Sequence, residues 1–102
     1  MSLNDYIKLK ERIKNILNIQ PEVKKVILFG SFLKMEDPKD IDIAIFTDSK
    51  QSYIEQSLKF RKILRDVSKI IPVDVFPLKN DNTSDPFLEE ILKGEIIYES
   101  SE

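Results

Sequence analysis

Asp40 and Asp42 sit two apart in the stretch LFGSFLKMEDPKDIDIAIF, residues 28–46, and Asp74 recurs in VDVF, residues 73–76. Aspartate is a poor strand former. Yet these aspartates alternate with Ile41, Ile43 and Ile45 in one segment and with Val73 and Val75 in the other. Such alternation describes strands whose successive side chains point to opposite faces. If the isoleucines and valines share a core side, the three carboxylates emerge together on the other. Neighbouring strands lie about 4.8 Å apart and residues i and i+2 about 6.5 Å, so the three would surround one small space. Their repulsion raises their pKa values or demands a counter-ion. A divalent metal is the natural answer, and two ions about 3.5–4 Å apart are its catalytic form. An isolated D-x-D reads better as an amphipathic strand with a solvated face. The third Asp and the turn upstream weigh against that reading here.

The turn upstream is Gly30-Ser31. A glycine after a strand is often only a turn. This one leads toward a possible helix start, where backbone N–H groups and the Ser31 hydroxyl make an anion site suited to phosphate. It is not the GxxxxGK[ST] loop, because no second Gly or Lys-Ser follows.

Composition narrows the chemistry further. The chain has no cysteine and no histidine. That removes the usual zinc ligands, thiol nucleophiles and disulfides, and any metal must be oxygen-bound, favouring Mg²⁺, Mn²⁺ or Ca²⁺. A net charge of −2 argues against a dedicated nucleic-acid module, which would be distinctly basic. No stretch approaches the roughly 20 apolar residues of a membrane span. The start, MSLNDYIKLK, lacks the apolar core of a signal peptide, so the expected location is the cytoplasm. The 102 residues fit a single domain, 1–102.

The elements that must position these residues follow from periodicity. Tyr6, Leu9, Ile13, Ile16 and Leu17 predict an amphipathic helix over 3–19, capped by Ser2 or Asn4 and followed by Pro21. Residues 23–29 read as a strand, 41–46 as a second. Residues 50–70 read as one long helix with Tyr53, Phe60, Leu64, Val67 and Ile71 on its stripe, widened by Ile54 and Leu58. Residues 72–76 read as a short strand between Pro72 and Pro77, suited to a sheet edge. Asp85-Pro86 starts a last helix, Gly94 stops it, and EIIYE adds a strand. The order α-β-β-α-β-α-β gives an α/β or α+β fold, a small mixed sheet with helices covering one face. The aspartate face is then expected to stay open.

The residues FGSFLKMEDPKDIDIAIF followed by VDVF resemble the minimal nucleotidyltransferase domain of the DNA polymerase β superfamily. The closing FLEEILKGEIIYES is similar to the helix-Gly-strand ending of its stand-alone members, and the likeness covers nearly the full chain. The resemblance implies a polymerase β-like nucleotidyltransferase fold and two-metal nucleotidyl transfer, with AMP from ATP the expected group. It implies that Gly30 and Ser31 bind the triphosphate, that Asp40 and Asp42 hold both Mg²⁺ ions (Mn²⁺ a substitute), and that Asp74 holds the ion at the acceptor hydroxyl. Many relatives follow Gly-Ser with a basic, Gly-containing stretch. Here Phe32-Leu33-Lys34-Met35 stands there, and Lys34 alone could replace the positive charge. Stand-alone members resemble antitoxins that pair with a helical HEPN-type toxin and can adenylylate it. The implied acceptor is therefore a hydroxyl on such a partner, with nucleic acid not expected as a direct partner.

Two other classes remain open, and a third, a D-x-D sugar transferase, normally needs a larger nucleotide-binding domain. One is a catalytically weak or inactive binding module that masks a partner. The altered Gly-Ser loop favours it, and the intact aspartates oppose it. The other is a phosphatase or phosphotransferase with an Asp nucleophile, but that site usually follows a continuous apolar strand, whereas Asp40 follows the loop MEDPK.

Overall fold

The computed structural model describes residues 2–33, 38–79 and 87–101. Helix α1 runs Leu3–Leu17, capped by Ser2, whose hydroxyl accepts from Asp5 N–H while the Asp5 carboxylate accepts from Ser2 N–H. This reciprocal pair satisfies two donors that a helix start otherwise leaves open. Strand β1 (Val23–Phe29) leads into a 3₁₀ turn, Gly30–Leu33, and strand β2 is Ile41–Thr47. The expected long helix is broken at Leu64 into α2 (Tyr53–Ile63) and α3 (Arg65–Ser68). Strand β3 (Val73–Lys79), helix α4 (Phe87–Leu92) and strand β4 (Glu95–Glu99) complete the chain. The Asp85-Pro86 helix start lies outside the described residues.

The sheet order is β3-β2-β1-β4. β1 is antiparallel to both β2 and β4, whereas β2 and β3 are parallel. The parallel pair needs a crossover, which α2 and α3 provide. β3 is an edge strand, as its prolines predict, but it runs on through Pro77 to Lys79. An edge strand has one side without ladder bonds, so a residue lacking an N–H is tolerated there.

Val26, Leu28, Ile41, Ile43, Ile45 and Val75 face α1, α2 and α3 and form the main core with Leu9, Ile13, Leu17, Phe60, Leu64 and Val67. Phe60 is fully buried; cutting such a phenylalanine to alanine typically costs about 3–5 kcal/mol.

Two expectations fail here. Tyr53, Ile54 and Leu58 are more than half exposed, and the buried residues of α2 are Gln56 and Phe60. The rotation is set by a polar contact: Thr47 Oγ1 donates to Gln56 Oε1 at 2.6 Å inside the core, and Gln56 Nε2 donates to the Gln51 carbonyl at 2.9 Å. A glutamine so satisfied can be buried, and it displaces the apolar stripe to solvent. The second failure concerns α4. Its Ile91 is fully buried against Ile27, Phe29, Ala44 and Phe46, with Leu88, Phe76 and Leu78 alongside. Those strand residues belong to the aspartate face. The helices therefore lie on both faces, and only the end of the second face that carries the aspartates is left uncovered by this smaller core.

Candidate active site

The site begins with register. Asp42 is the β2 partner of Asp74 on the parallel neighbour, and of Phe29 on the antiparallel one. The pleat sends Asp42, Ala44 and Phe46 to one face, with Asp74, Phe76 and Leu78 beside them. Phe29 and Phe76 stack tilted, ring centroids 5.4 Å apart. The Asp42–Asp74 pair therefore lies at the rim of an apolar floor. Asp40 stands just ahead of β2, at Ile41–Thr47, half-buried, while Asp74 is exposed.

This setting perturbs Asp42. Burial beside the aromatic floor pushes its carboxyl above the usual carboxylate range, and the charges of Asp40 and Asp74, with a hydrogen bond to Asp74, push it further the same way. Asp40 and Asp74 thus both lie close enough to act on Asp42. The three are not a closed cage, however. Among the described residues, no group of three or more Asp, Glu, His or Cys is arranged to hold a metal. The donor set itself suits a hard divalent cation, being carboxylate oxygen throughout, and the raised Asp42 is a carboxylate lacking positive charge.

The glycine of the turn is built into the same site. Gly30 has φ +83°, a conformation that side-chain-bearing residues rarely adopt. A Cβ there would lie 2.2 Å from Asp42 Oδ2 and 3.3 Å from its Cγ. The Gly-Ser turn and the Asp pair, read separately from sequence, are one contiguous surface. Ser31 follows in the 3₁₀ turn; its side chain and all of Lys34, the other expected phosphate ligands, lie outside the described residues. The sequence reading missed the aromatic floor, although the period-two spacing of Asp42, Ala44 and Phe46 with Asp74 and Phe76 carried that signal.

The strand-turn-strand unit presses a left-handed glycine against paired aspartates. The family described as "Polymerase beta, Nucleotidyltransferase" matches residues 11–102, and the chain belongs to it; it is a nucleotidyltransferase, of a family that generally works with divalent metals. A Methanocaldococcus jannaschii protein, assigned by name only as a protein adenylyltransferase, is 21% identical over 97 residues, covering 95% of this chain and 97% of that one. Among solved structures, the tri-AMPylated Shewanella oneidensis HEPN toxin in complex with its MNT antitoxin is similar with TM-score 0.66 and 20% identity, over 91% of this chain and 71% of that one. A toxin–antitoxin structure with AMP-PNP is similar with TM-score 0.68 and 20% identity, over 90% and 74% of the two chains. At these identities the structural likeness establishes the shared fold. Among the described residues, no helix is long and apolar enough to cross a membrane.

Proposed function

We propose that this chain transfers AMP from ATP, with Mg²⁺, to a hydroxyl on a partner protein, as the antitoxin of a HEPN/MNT pair working in the cytoplasm. The observation that carries the reading is the close approach of the Gly30 backbone to Asp42, whose register partner on β3 is Asp74. It brings the backbone of the turn directly beside the Asp42 carboxylate, which supports a phosphate site next to the carboxylates. The AMP-PNP and AMPylated-toxin structures among the similar folds support the choice of nucleotide and acceptor.

Gly30, Ser31 and Lys34 bind the triphosphate in this reading. Asp40, Asp42 and Asp74 hold two Mg²⁺ ions, for which Mn²⁺ can substitute. Bound there, the cations supply positive charge to the attacking and leaving oxygens of an in-line displacement. The remaining work belongs to the chain. Asp74, the most exposed of the three, faces the acceptor and takes the hydroxyl proton. The acceptor oxygen bonds to the α-phosphorus as the bond to pyrophosphate breaks. The apolar floor of Phe29 and Phe76 keeps water from one side of the carboxylates and strengthens their interactions.

A second reading, a module that masks its partner without catalysis, is favoured by Phe32-Leu33-Lys34-Met35 standing where many relatives carry a basic, Gly-containing stretch. Co-expression with the neighbouring gene's product, followed by mass measurement of that product, separates the two. An adenylyl adduct with wild type that is lost in Asp74→Asn supports transfer. A tight complex without adduct, unchanged by Asp74→Asn, supports masking.

A further inference from the structure

A groove of about 570 Å³ opens on the far side of the sheet from Gly30, between α1, residues 38–39 and residues 70–72. Lys8, Arg12 and Lys39 line it against a single carboxylate, Asp5. This local excess of positive charge runs against the chain's net −2. Asp5, bonded to the Ser2 N–H in the cap of α1, offsets part of it through its attraction to Lys8 and leaves a net excess of positive charge. Arg12 meets Asp66 at 4.0 Å with both side chains more than half exposed, a pairing worth little in water. Among the described residues Lys8 and Lys39 make no ion pair. Ile70, 59% exposed, and Pro72 give the groove an apolar edge.

Its position relates it to the aspartates. Lys39 immediately precedes Asp40, and Pro72 lies two residues before Asp74. The Ile41 N–H donates to the Pro72 carbonyl at 2.9 Å, pinning the entries of β2 and β3 together. Successive Cα atoms are about 3.8 Å apart, so the groove wall reaches two of the carboxylate positions within one or two residues. An extended peptide of five residues spans roughly 17 Å, enough to lie in the groove and deliver a hydroxyl over the rim.

We propose that this groove seats an acidic peptide segment, bearing apolar side chains, of the protein that accepts the nucleotide. The proposal rests on the transferase reading and adds the docking site and its chemistry. Carboxylates of the segment meet Lys8, Arg12 and Lys39, and an apolar side chain covers Ile70. The mixed apolar lining and the presence of Asp5 fit a peptide better than a nucleic-acid backbone, which would want unbroken positive charge.

The test uses the full chain and a fluorescein-labelled peptide, Glu-Leu-Glu-Tyr-Glu-Leu-Glu, with its lysine-for-glutamate counterpart and an RNA oligonucleotide as competitors. Anisotropy should report binding of the acidic peptide that weakens about tenfold or more in Lys8→Glu/Arg12→Glu and fades with added salt. Both side chains are exposed, so the double variant should keep its melting temperature. Neither competitor should displace the acidic peptide. No binding, equal binding by the double variant, or displacement by RNA overturns the proposal. Transfer kinetics with the neighbouring gene's product keep the two readings apart. The double variant should raise KM for that protein about tenfold at unchanged kcat. Transfer whose KM is untouched overturns the groove and leaves the transferase. Charge-sensitive peptide binding with no transfer by wild type supports the groove and overturns the transferase.

Discussion

Gly30 occupies space that any larger residue would contest with the Asp42 carboxylate, because the two meet across the end of the β1–β2 pair. The approach of backbone to carboxylate is close enough that a triphosphate held by the turn would share its counter-ions with Asp42.

Gly30→Val should therefore lose ATP–Mg²⁺ binding by tenfold or more. It combines a left-handed backbone, costing a branched residue about 1–2 kcal/mol, with direct obstruction of Asp42. Calorimetric titration of ATP into a variant shown by circular dichroism to be folded is the measurement. Wild-type affinity would move the nucleotide away from this turn.

Asp42→Asn should abolish transfer yet raise the melting temperature in EDTA at neutral pH. The Asp42 carboxyl is shifted upward by burial, then by Asp40 and Asp74. A group whose folded pKa is raised lends its full stability below the unfolded carboxylate range. That stability is lost as pH rises through the raised value, so near pH 7 the ionised, metal-free form is penalised. The amide keeps a donor for Asp74 and carries no charge. In Mn²⁺ the order should reverse, with wild type gaining more from the metal. A variant less stable than wild type in EDTA would point to a structural carboxylate.

Tyr6 and Glu95 predict the pH behaviour of the α1–β4 contact. Tyr6 Oη donates to Glu95 Oε2 at 2.6 Å and Lys10 Nζ to Oε1 at 3.0 Å. Burial pushes Glu95 up, but these two partners outweigh it and leave the carboxyl below its ordinary value. The stability so contributed is present above the unfolded carboxylate pKa and is lost as pH falls through the folded value. Tyr6 is raised, by burial first and then by Glu95, so its share is lost at the alkaline end instead. Tyr6→Phe should cost most near neutrality, under about 1 kcal/mol because the Glu95 side chain is still 40% exposed and its interactions are screened by solvent. Urea unfolding at a series of pH values should show the difference from wild type shrinking toward acid.

Gln56→Ala should destabilise the fold by about 1–3 kcal/mol, the range for leaving a buried polar partner unsatisfied, here Thr47. Gln56→Ala/Thr47→Val should recover part of the loss by removing the stranded hydroxyl, and only part, because the Ser49 N–H then loses its Thr47 acceptor. A double-mutant cycle in urea gives the coupling directly.

Much of this protein is legible from its residue order because local pattern and tertiary position agree. Ile41, Ile43 and Ile45 alternate and are buried on one face; Leu9, Ile13 and Leu17 follow the helical period and are buried too. The position of Asp74 beside Asp42 follows from the same alternation once the strands pair. What was not legible depends on pairs distant in sequence. Ile54 and Leu58 look like core residues, and only the Thr47–Gln56 hydrogen bond shows why α2 turns them outward. Helix α4 carries apolar residues that could serve either face. Its side is chosen by the space left over Ile27, Phe29 and Ala44, which no local spacing encodes.

Asp74 joins Asp42 only through β3, the strand at the sheet's margin, and only after α2 and α3 have carried the chain across. Marginal strands open at lower free energy than central ones, and such long-range pairings form late in folding. In the proposed mechanism, a strand at the margin of the sheet thus carries the carboxylate that takes the acceptor proton. Newly made or partly opened molecules would be silent as transferases while most of their core persists, and activity would report the integrity of the whole sheet.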